Sequence, residues 1–310
     1  MALFYECMLK CARKLLDTAD IVRDAMFRQH SARLNLYGYR DIDRVNLRLM
    51  AKDSASRDYA AQQGLTELVN FAENAPRLES PYDAVSGKLT APFAPDLEDL
   101  ARIHKLIRTR HIFTVLEFGV GYSTWVIADA LRKNEADWNA LAQRPAIRNR
   151  FPFQVFSVDA SKEWIRMSEA RIPKTLQSSI HLRHSNVKIG TFQGRLCHFF
   201  DDLPDIVPDF IYLDGPAPKD VHGSLNGMSF QCDERTVMSG DLLAMESILL
   251  PGTFVLIDGR TNNARFLQRN FQRNWTMVHD REGDVTSFEL VEERLGPYNI
   301  LGTDLWPPIL

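Results

Sequence analysis

The rhythm of hydrophobic and polar positions changes once along this chain. In the first part, Leu3, Phe4, Met8, Cys11, Leu15 and Ala19 recur at helical spacing and continue through Val22 and Met26. That stripe predicts a helical front section over residues 1–95. Its polar face carries Asp17, Asp20 and Asp24 beside the bases, which favours packing on the protein itself or on a twin subunit over lying on a membrane. The stretch ENAPRLESPYDAVSGKLTAPFAP follows, rich in Pro, Ser and Gly, and reads as a linker or a draped loop.

From Asp96 the pattern alternates. DLEDLARIHKLIRT is an amphipathic helix, FTVLEF a strand, and STWVIADALRKN a helix with Ser123 as its cap. After a polar insertion over 135–150 come the strand FQVFSVD, the helix SKEWIRMSEARI and the shorter strand SIHLRHS. DFIYLDG is a fourth strand, trailed by the long loop PAPKDVHGSLNGMSFQCDE and a helix over RTVMSGDLLAMESILL. GTFVLIDG is a fifth strand, NNARFLQRNFQR a helix, and NWTMVHD and VTSFELVEE close the chain around the turn REGD. Strands alternating with helices predict an α/β fold, a doubly wound and mostly parallel sheet. The short REGD turn makes its two strands antiparallel neighbours, so the last strand reverses direction. Residues 96–292 form the α/β domain on this reading, and 293–310 a C-terminal tail.

Composition narrows the function classes. A net charge of −3 over 310 residues is a poor match for phosphate backbones, so no nucleic-acid partner is expected. Cys7, Cys11, Cys197 and Cys232 are scattered without metal spacing and read as reduced thiols. No apolar run is long enough for a membrane span, and the first residues lack a cleavage site. A cytoplasmic protein is the expectation.

The candidate chemistry begins at VLEFGVGYST, where an apolar strand turns through two glycines into a helix. Such a turn lets a ligand approach the backbone, because no Cβ stands in the way. A dinucleotide fingerprint would need a third glycine, and Thr124 stands there instead. Glu117, two residues before Gly119, would repel phosphates and suit a cationic amino group. Asp159, ending the second strand, is placed to accept both hydroxyls of a ribose. Together these describe a nucleoside with an amino-acid tail, and S-adenosylmethionine fits.

On VLEFGVGYST, FSVDAS, DFIYLDGP and GTFVLIDG, about residues 96–292, the chain resembles the class I S-adenosylmethionine-dependent methyltransferases. The resemblance implies a seven-stranded sheet of order 3-2-1-4-5-7-6. It also implies a cofactor site in which Gly119, Val120, Gly121, Ser123 and Thr124 border the methionine part. Glu117 would then lie near the amino group, Asp159 at the ribose and Ala160 by the adenine.

Transfer to a hydroxyl needs alignment and usually a base. Asp214 and Asp258 both end strands where ligands bind in open parallel sheets, and the loop offers His222 and Lys219 as bases. The same two acids resemble the metal-binding pair of catechol-type O-methyltransferases, which implies a magnesium site. Gly259 stands where an Asn ligand would be expected, with Asn262 or Asn263 as substitutes. Arg260 could orient an anionic acceptor, while Trp125 and Trp164 read as packing residues. The expected activity is O-methylation of a small molecule or sugar, with the front helices lidding the site or joining subunits as a homo-oligomer. The rivals are an aminopropyl-transfer enzyme of the same fold and a non-catalytic, cofactor-binding assembly subunit. A nicotinamide oxidoreductase is weaker, for want of the third glycine.

Overall fold

The computed structural model describes residues 53–74 and 94–306, apart from Asp233 and Glu282. The apolar stripe expected over residues 3–26 and most of the expected linker lie outside the described residues.

Two helices come first, α1 (Asp53–Gln62) and α2 (Thr66–Asn74). The α/β part opens with α3 (Leu97–Thr109), whose cap Asp96 accepts from the Glu98 and Asp99 amides at 2.9 and 3.3 Å. Strand β1 (Thr114–Phe118) leads into α4 (Tyr122–Asn139), and β2 (Gln154–Asp159) into α5 (Lys162–Glu169). Then follow β3 (Ile180–His184), β4 (Val187–Phe192), β5 (Arg195–Phe200) and β6 (Phe210–Leu213). The chain continues through β7 (Val221–His222), α6 (Asp241–Met245), β8 (Phe254–Asp258) and α7 (Thr261–Asn270). It closes with the hairpin of β9 (Trp275–Asp280) and β10 (Val285–Leu290).

Seven strands pair in the order β3-β2-β1-β6-β8-β10-β9. Strands β3, β2, β1, β6 and β8 run parallel, and β10 lies antiparallel between β8 and β9. With β6 and β8 counted as fourth and fifth, this is the expected 3-2-1-4-5-7-6 order. The burial pattern explains the double winding. Val115, Val155, Phe210 and Leu256 point into one apolar layer with Ile103, Ile107, Val126 and Leu131 of α3 and α4. Their alternates Leu116, Val158, Ile211 and Val255 point into a second layer with Leu242, Ala264 and Leu267 of α6 and α7. Period-2 side chains covered on both faces make these strands near-continuous apolar runs.

Three elements differ from the sequence reading. A second sheet of order β5-β4-β7 was not expected. Its hairpin turns on Gln193 and Gly194, both at positive φ (48° and 75°), as a two-residue turn matching strand twist requires. The helix expected over 235–250 is confined to Asp241–Met245 and a 3-10 turn at Glu246–Ile248. Before it, the chain pairs with β5 instead: the His198 amide donates to Met238 O and the Gly240 amide to His198 O. Gly240 permits this, since a Cβ there would lie 2.4 Å from the Phe199 ring and 2.9 Å from Cys197 Sγ. Helix α4 begins at Tyr122 with Gly121 as its cap, so Ser123 sits in the first turn and not at the cap. The final segment packs down too. Trp306 is buried against the rings of His111, Phe113 and Trp138, with centroids 4.4–5.7 Å apart.

The turns after β1 and β6 meet backbone to backbone. A Cβ on Gly215 would lie 2.7 Å from Gly119 N and 2.9 Å from Gly119 Cα, and neither can retreat as a side chain could. Gly215→Ala should therefore cost about 3 kcal/mol, the upper end of overpacking. A wild-type midpoint in urea denaturation would show that the two turns have room to separate.

Candidate functional site

A cavity of about 950 Å³ opens at the carboxyl ends of β1, β2, β6 and β8. The chain winds outward in both directions from β1 and β6, so this is the topological switch point, where open α/β sheets bind ligands. Gly119, Val120, Gly121 and Ser123 form one wall, and Asp159 and Trp164 stand beside them. Asp99, Tyr212, Asp214 and Asp258 line the region beside Arg260, and Lys219 lines the cavity as well.

The two turn glycines have different reasons. Gly119 has φ +104° and packs on Gly215, so backbone geometry alone demands it. Gly121 has φ −171°, ordinary extended backbone, and a Cβ there would meet only Ser123 Oγ at 3.9 Å. Nothing in the fold requires glycine at 121. The cavity in front of it does, if a ligand lies against the turn.

Glu117 is placed differently from expectation. It is fully buried beneath the turn and outside the cavity wall. Ser123 Oγ donates to its Oε1 at 2.5 Å, Thr124 Oγ1 donates to Oε2 at 2.6 Å, and Ser157 Oγ donates to Oε2 as well. A carboxylate with three hydroxyl donors is committed to holding β1, β2 and α4 together. Burial nonetheless pushes its carboxyl up to about 7, against the pull of those donors. Thr124 is likewise fully buried behind the turn, where its hydroxyl also accepts the Gly121 amide at 3.2 Å.

Asp159 borders the cavity. Its Oδ2 accepts the Val120 amide at 3.0 Å and its Oδ1 the Ser161 amide at 2.7 Å, which fixes the carboxylate against the glycine turn. Each oxygen keeps a second lone pair for a ligand. Burial raises its carboxyl to about 6, opposed by those two amides. Ala160 is outside the cavity wall, and its carbonyl pairs with His184 Nε2 at 3.1 Å.

The loop residues separate. Lys219 lines the cavity, and its carbonyl accepts from Gln231 Nε2 at 2.9 Å. His222 does not line it. It belongs to β7, where it pairs with Lys188 of β4 and its side chain is exposed on the second sheet. The short strand draws the histidine out of reach, so its role as base is not supported by its position.

Asp214 and Asp258 share the cavity, but the groups around them suit a metal poorly. Arg260 donates through Nη2 to the Asp214 carbonyl and lies 3.5 Å from its Oδ1, so a guanidinium already stands where a cation would. Asp258 Oδ2 accepts from Tyr212 Oη at 3.0 Å. Asn263 turns its Oδ1 to the Ser239 amide at 3.0 Å, and Asn262 is exposed. Among the described residues no three His, Cys, Asp or Glu side chains converge as a metal site. Among the described residues the expected magnesium thus finds no cluster of three such ligands.

Sequence reasoning passed over Asp99 and Tyr212. Asp99 reads as the polar face of an amphipathic helix, yet the first turn of α3 brings it to the strand ends. Burial, with Asp258 and Asp96 adding to it, raises its carboxyl to about 7. Burial and Asp214 likewise raise Asp258 to about 6. Tyr212 could have been found from strand alternation in FIYLDG, since it lies two positions before Asp214. Trp125 and Trp164, read as packing, both line the cavity.

No protein-family model matches this chain, and no curated protein does. The chain is similar to solved structures of low identity. One is the O-methyltransferase TomG from Streptomyces achromogenes, involved in tomaymycin synthesis and solved with SAM (14% identity, 73% of this chain and 96% of that one, TM-score 0.40). Another is the SAH-bound Podospora anserina methyltransferase PaMTH1 (10% identity, 78% and 97%, TM-score 0.42). A third is an O-methyltransferase from Bacillus cereus in complex with SAH (14% identity, 78% and 92%, TM-score 0.36).

The buried carboxyl of Glu117 sets a pH dependence. Folding raises its pKa from 4.5 to about 7, so between those values the folded chain binds more protons than the unfolded one. Stability from this group is complete below the lower value and is lost as pH rises through the upper. Glu117→Gln should flatten that fall by about 3 kcal/mol across the window, read as urea midpoints at successive pH values. Parallel curves for the two proteins would mean that Glu117 stays ionised throughout.

Proposed function

We propose that this protein is an S-adenosylmethionine-dependent methyltransferase acting on an oxygen of a small molecule or sugar. One observation carries the reading. Gly121, whose lack of a side chain the fold does not need, faces a switch-point cavity with a strand-end carboxylate, Asp159, beside it. When bound, S-adenosylmethionine supplies a methyl group made electrophilic by its sulfonium charge.

The chain's own residues would divide the work. The backbone from Gly119 to Gly121 gives close approach, and Asp159 accepts ribose hydroxyls through its free lone pairs. Trp164 offers an aromatic face beside it. Asp214 and Asp258 set a negative potential at the strand ends, favourable to a sulfonium. The base is best assigned to Asp258, which takes the acceptor's proton while Tyr212 holds its Oδ2. A carboxyl raised to about 6 is ionised at neutral pH and more basic than an ordinary aspartate, which is what a general base requires.

Two outcomes test this. Gly121→Val should leave the fold intact, since the backbone tolerates a side chain there, and abolish S-adenosylhomocysteine binding in calorimetry. Equal binding in the variant would place the ligand elsewhere. Asp258→Asn should lower kcat by ~10²-fold or more. In the wild type, kcat/KM should fall as pH drops through about 6, because only the ionised carboxyl accepts a proton. An acid limb that survives in the variant would move the base to another group, with Asp99 the first to try.

A further inference from the structure

Behind Arg260 lies a patch of buried polar atoms that have no hydrogen-bond partner. Five such atoms belong to four residues: both ring nitrogens of His198, Ser239 Oγ, Arg260 Nε and Asn263 Nδ2. The His198, Ser239 and Asn263 side chains belong to fully buried residues.

These residues are neighbours by several independent links. His198 and Ser239 form a β-bridge, and the Ser239 amide donates to Asn263 Oδ1 at 3.0 Å. Asn263 lies in the first turn of α7, which Arg260 caps. Arg260 is close enough to His198 for its charge to add to burial in lowering the imidazole to about 3, so the ring is neutral. Arg260 in turn lines the cavity.

A buried polar group left unpaired costs about 1–3 kcal/mol, and such groups in native proteins are nearly always satisfied. Five in one patch therefore imply an occupant. The inventory says what kind. Arg260 Nε and Asn263 Nδ2 can only donate, the Ser239 hydroxyl and one imidazole nitrogen can donate, and only the second imidazole nitrogen must accept. Asp241, the residue after Gly240, turns both carboxylate oxygens to the Phe200 amide. The patch thus wants oxygen acceptors. Its one formal positive charge, on Arg260, is shared at 3.5 Å with the exposed Asp214. That allows a monoanion at most, since a phosphate dianion would leave still more buried charge uncompensated.

We propose that this patch is a carboxylate-binding subsite opening from the cavity past Arg260, and that the methyl acceptor is an acidic small molecule anchored there. The acceptor assignment rests on the methyltransferase reading; the subsite does not. Arg260 then has two faces. Its Nη1 and Nη2 brace the carbonyls of Pro216 and Asp214, at the end of β6, while Nε meets the carboxylate.

The test uses the full chain and sodium formate, the smallest carboxylate, followed through the ring nitrogen resonances of His198 in 15N-labelled protein. The His198 signals are assigned by their loss in His198→Phe. Formate should shift them saturably, beyond the effect of sodium chloride at matched ionic strength. Ser239→Ala, which replaces the hydroxyl by hydrogen, should weaken that binding about tenfold, one lost hydrogen bond. Identical responses to formate and chloride, or full formate affinity in that variant, would overturn the proposal and assign the patch to ordered water. Calorimetry with S-adenosylhomocysteine on the same samples separates the two readings. A formate response without nucleoside binding would keep the subsite and sink the methyltransferase, and the reverse pattern would do the opposite.

Discussion

One buried carboxylate organises the ligand-binding end of this sheet. Glu117 receives hydroxyls from Ser123 and Thr124 on α4 and from Ser157 on β2. A β1 residue is thereby tied to the neighbouring strand and to the first turn of the following helix. The glycine turn between them has no freedom left to rotate, and Thr124 completes the lock by receiving the Gly121 amide. Asp159 reaches the same turn from β2 through the Val120 amide. Both acids therefore act first on the protein's own backbone. The turn that walls the cavity is thus held by the protein's own hydrogen bonds, which favours directing binding energy into alignment over ordering a loop.

The second consequence is electrostatic. Carboxyls at the ends of β6 and β8 and in the first turn of α3 crowd one side of the cavity, where burial and mutual repulsion lift Asp99 and Asp258 toward neutral pH. Arg260 stands between this acidic region and the donor-rich patch of His198, Ser239 and Asn263. The two sides of the guanidinium thus face opposite chemistry. With the proposed subsite, a ligand spanning the cavity would meet carboxylates at one end and hydrogen-bond donors at the other, a polarity that would fix which way round it lies.

Much of this was legible in the sequence, and the failures have physical causes. The α/β class and the reversed last strand followed from strand–helix alternation and the REGD hairpin, because period and turn length are local properties; the sheet order was what the resemblance implied. The turn at Gly119 and Gly121 and the strand-end acids at 159, 214 and 258 were legible for the same reason. What one sequence could not reveal was direction. Glu117 sits in the same motif whether it faces a ligand or three hydroxyls, and only the register of β1 on β2, Glu117 against Ser157, decides it. His222 failed through an unseen pairing. The hairpin of β4 and β5, signalled by Gln193 and Gly194 but passed over, provides the edge on which β7 forms and carries the histidine away. The helix expected over 235–250 lost its first turns to β5, since backbone pairing there was open to a segment containing Gly240.

The front helices belong to this same account. Ala60 of α1 and Leu65 and Leu68 beside it share one apolar layer with Ile103 and Ile107 of α3. Tyr59 Oη pairs with His104 Nδ1 at 2.8 Å, and His104 Nε2 with Asp129 Oδ2 at 3.0 Å, in a buried chain running from α1 through α3 to α4. Phe71 of α2 packs its ring on Tyr122 and Trp125, centroids 6.0 and 6.3 Å apart, and both of those rings line the cavity. The first turn of α4 is thus held from below by Glu117 and from outside by Phe71. A chain beginning at α3 would keep the strands and their acids but lose the support behind Tyr122 and Trp125. The extension is in this respect part of the wall, one layer removed from the ligand.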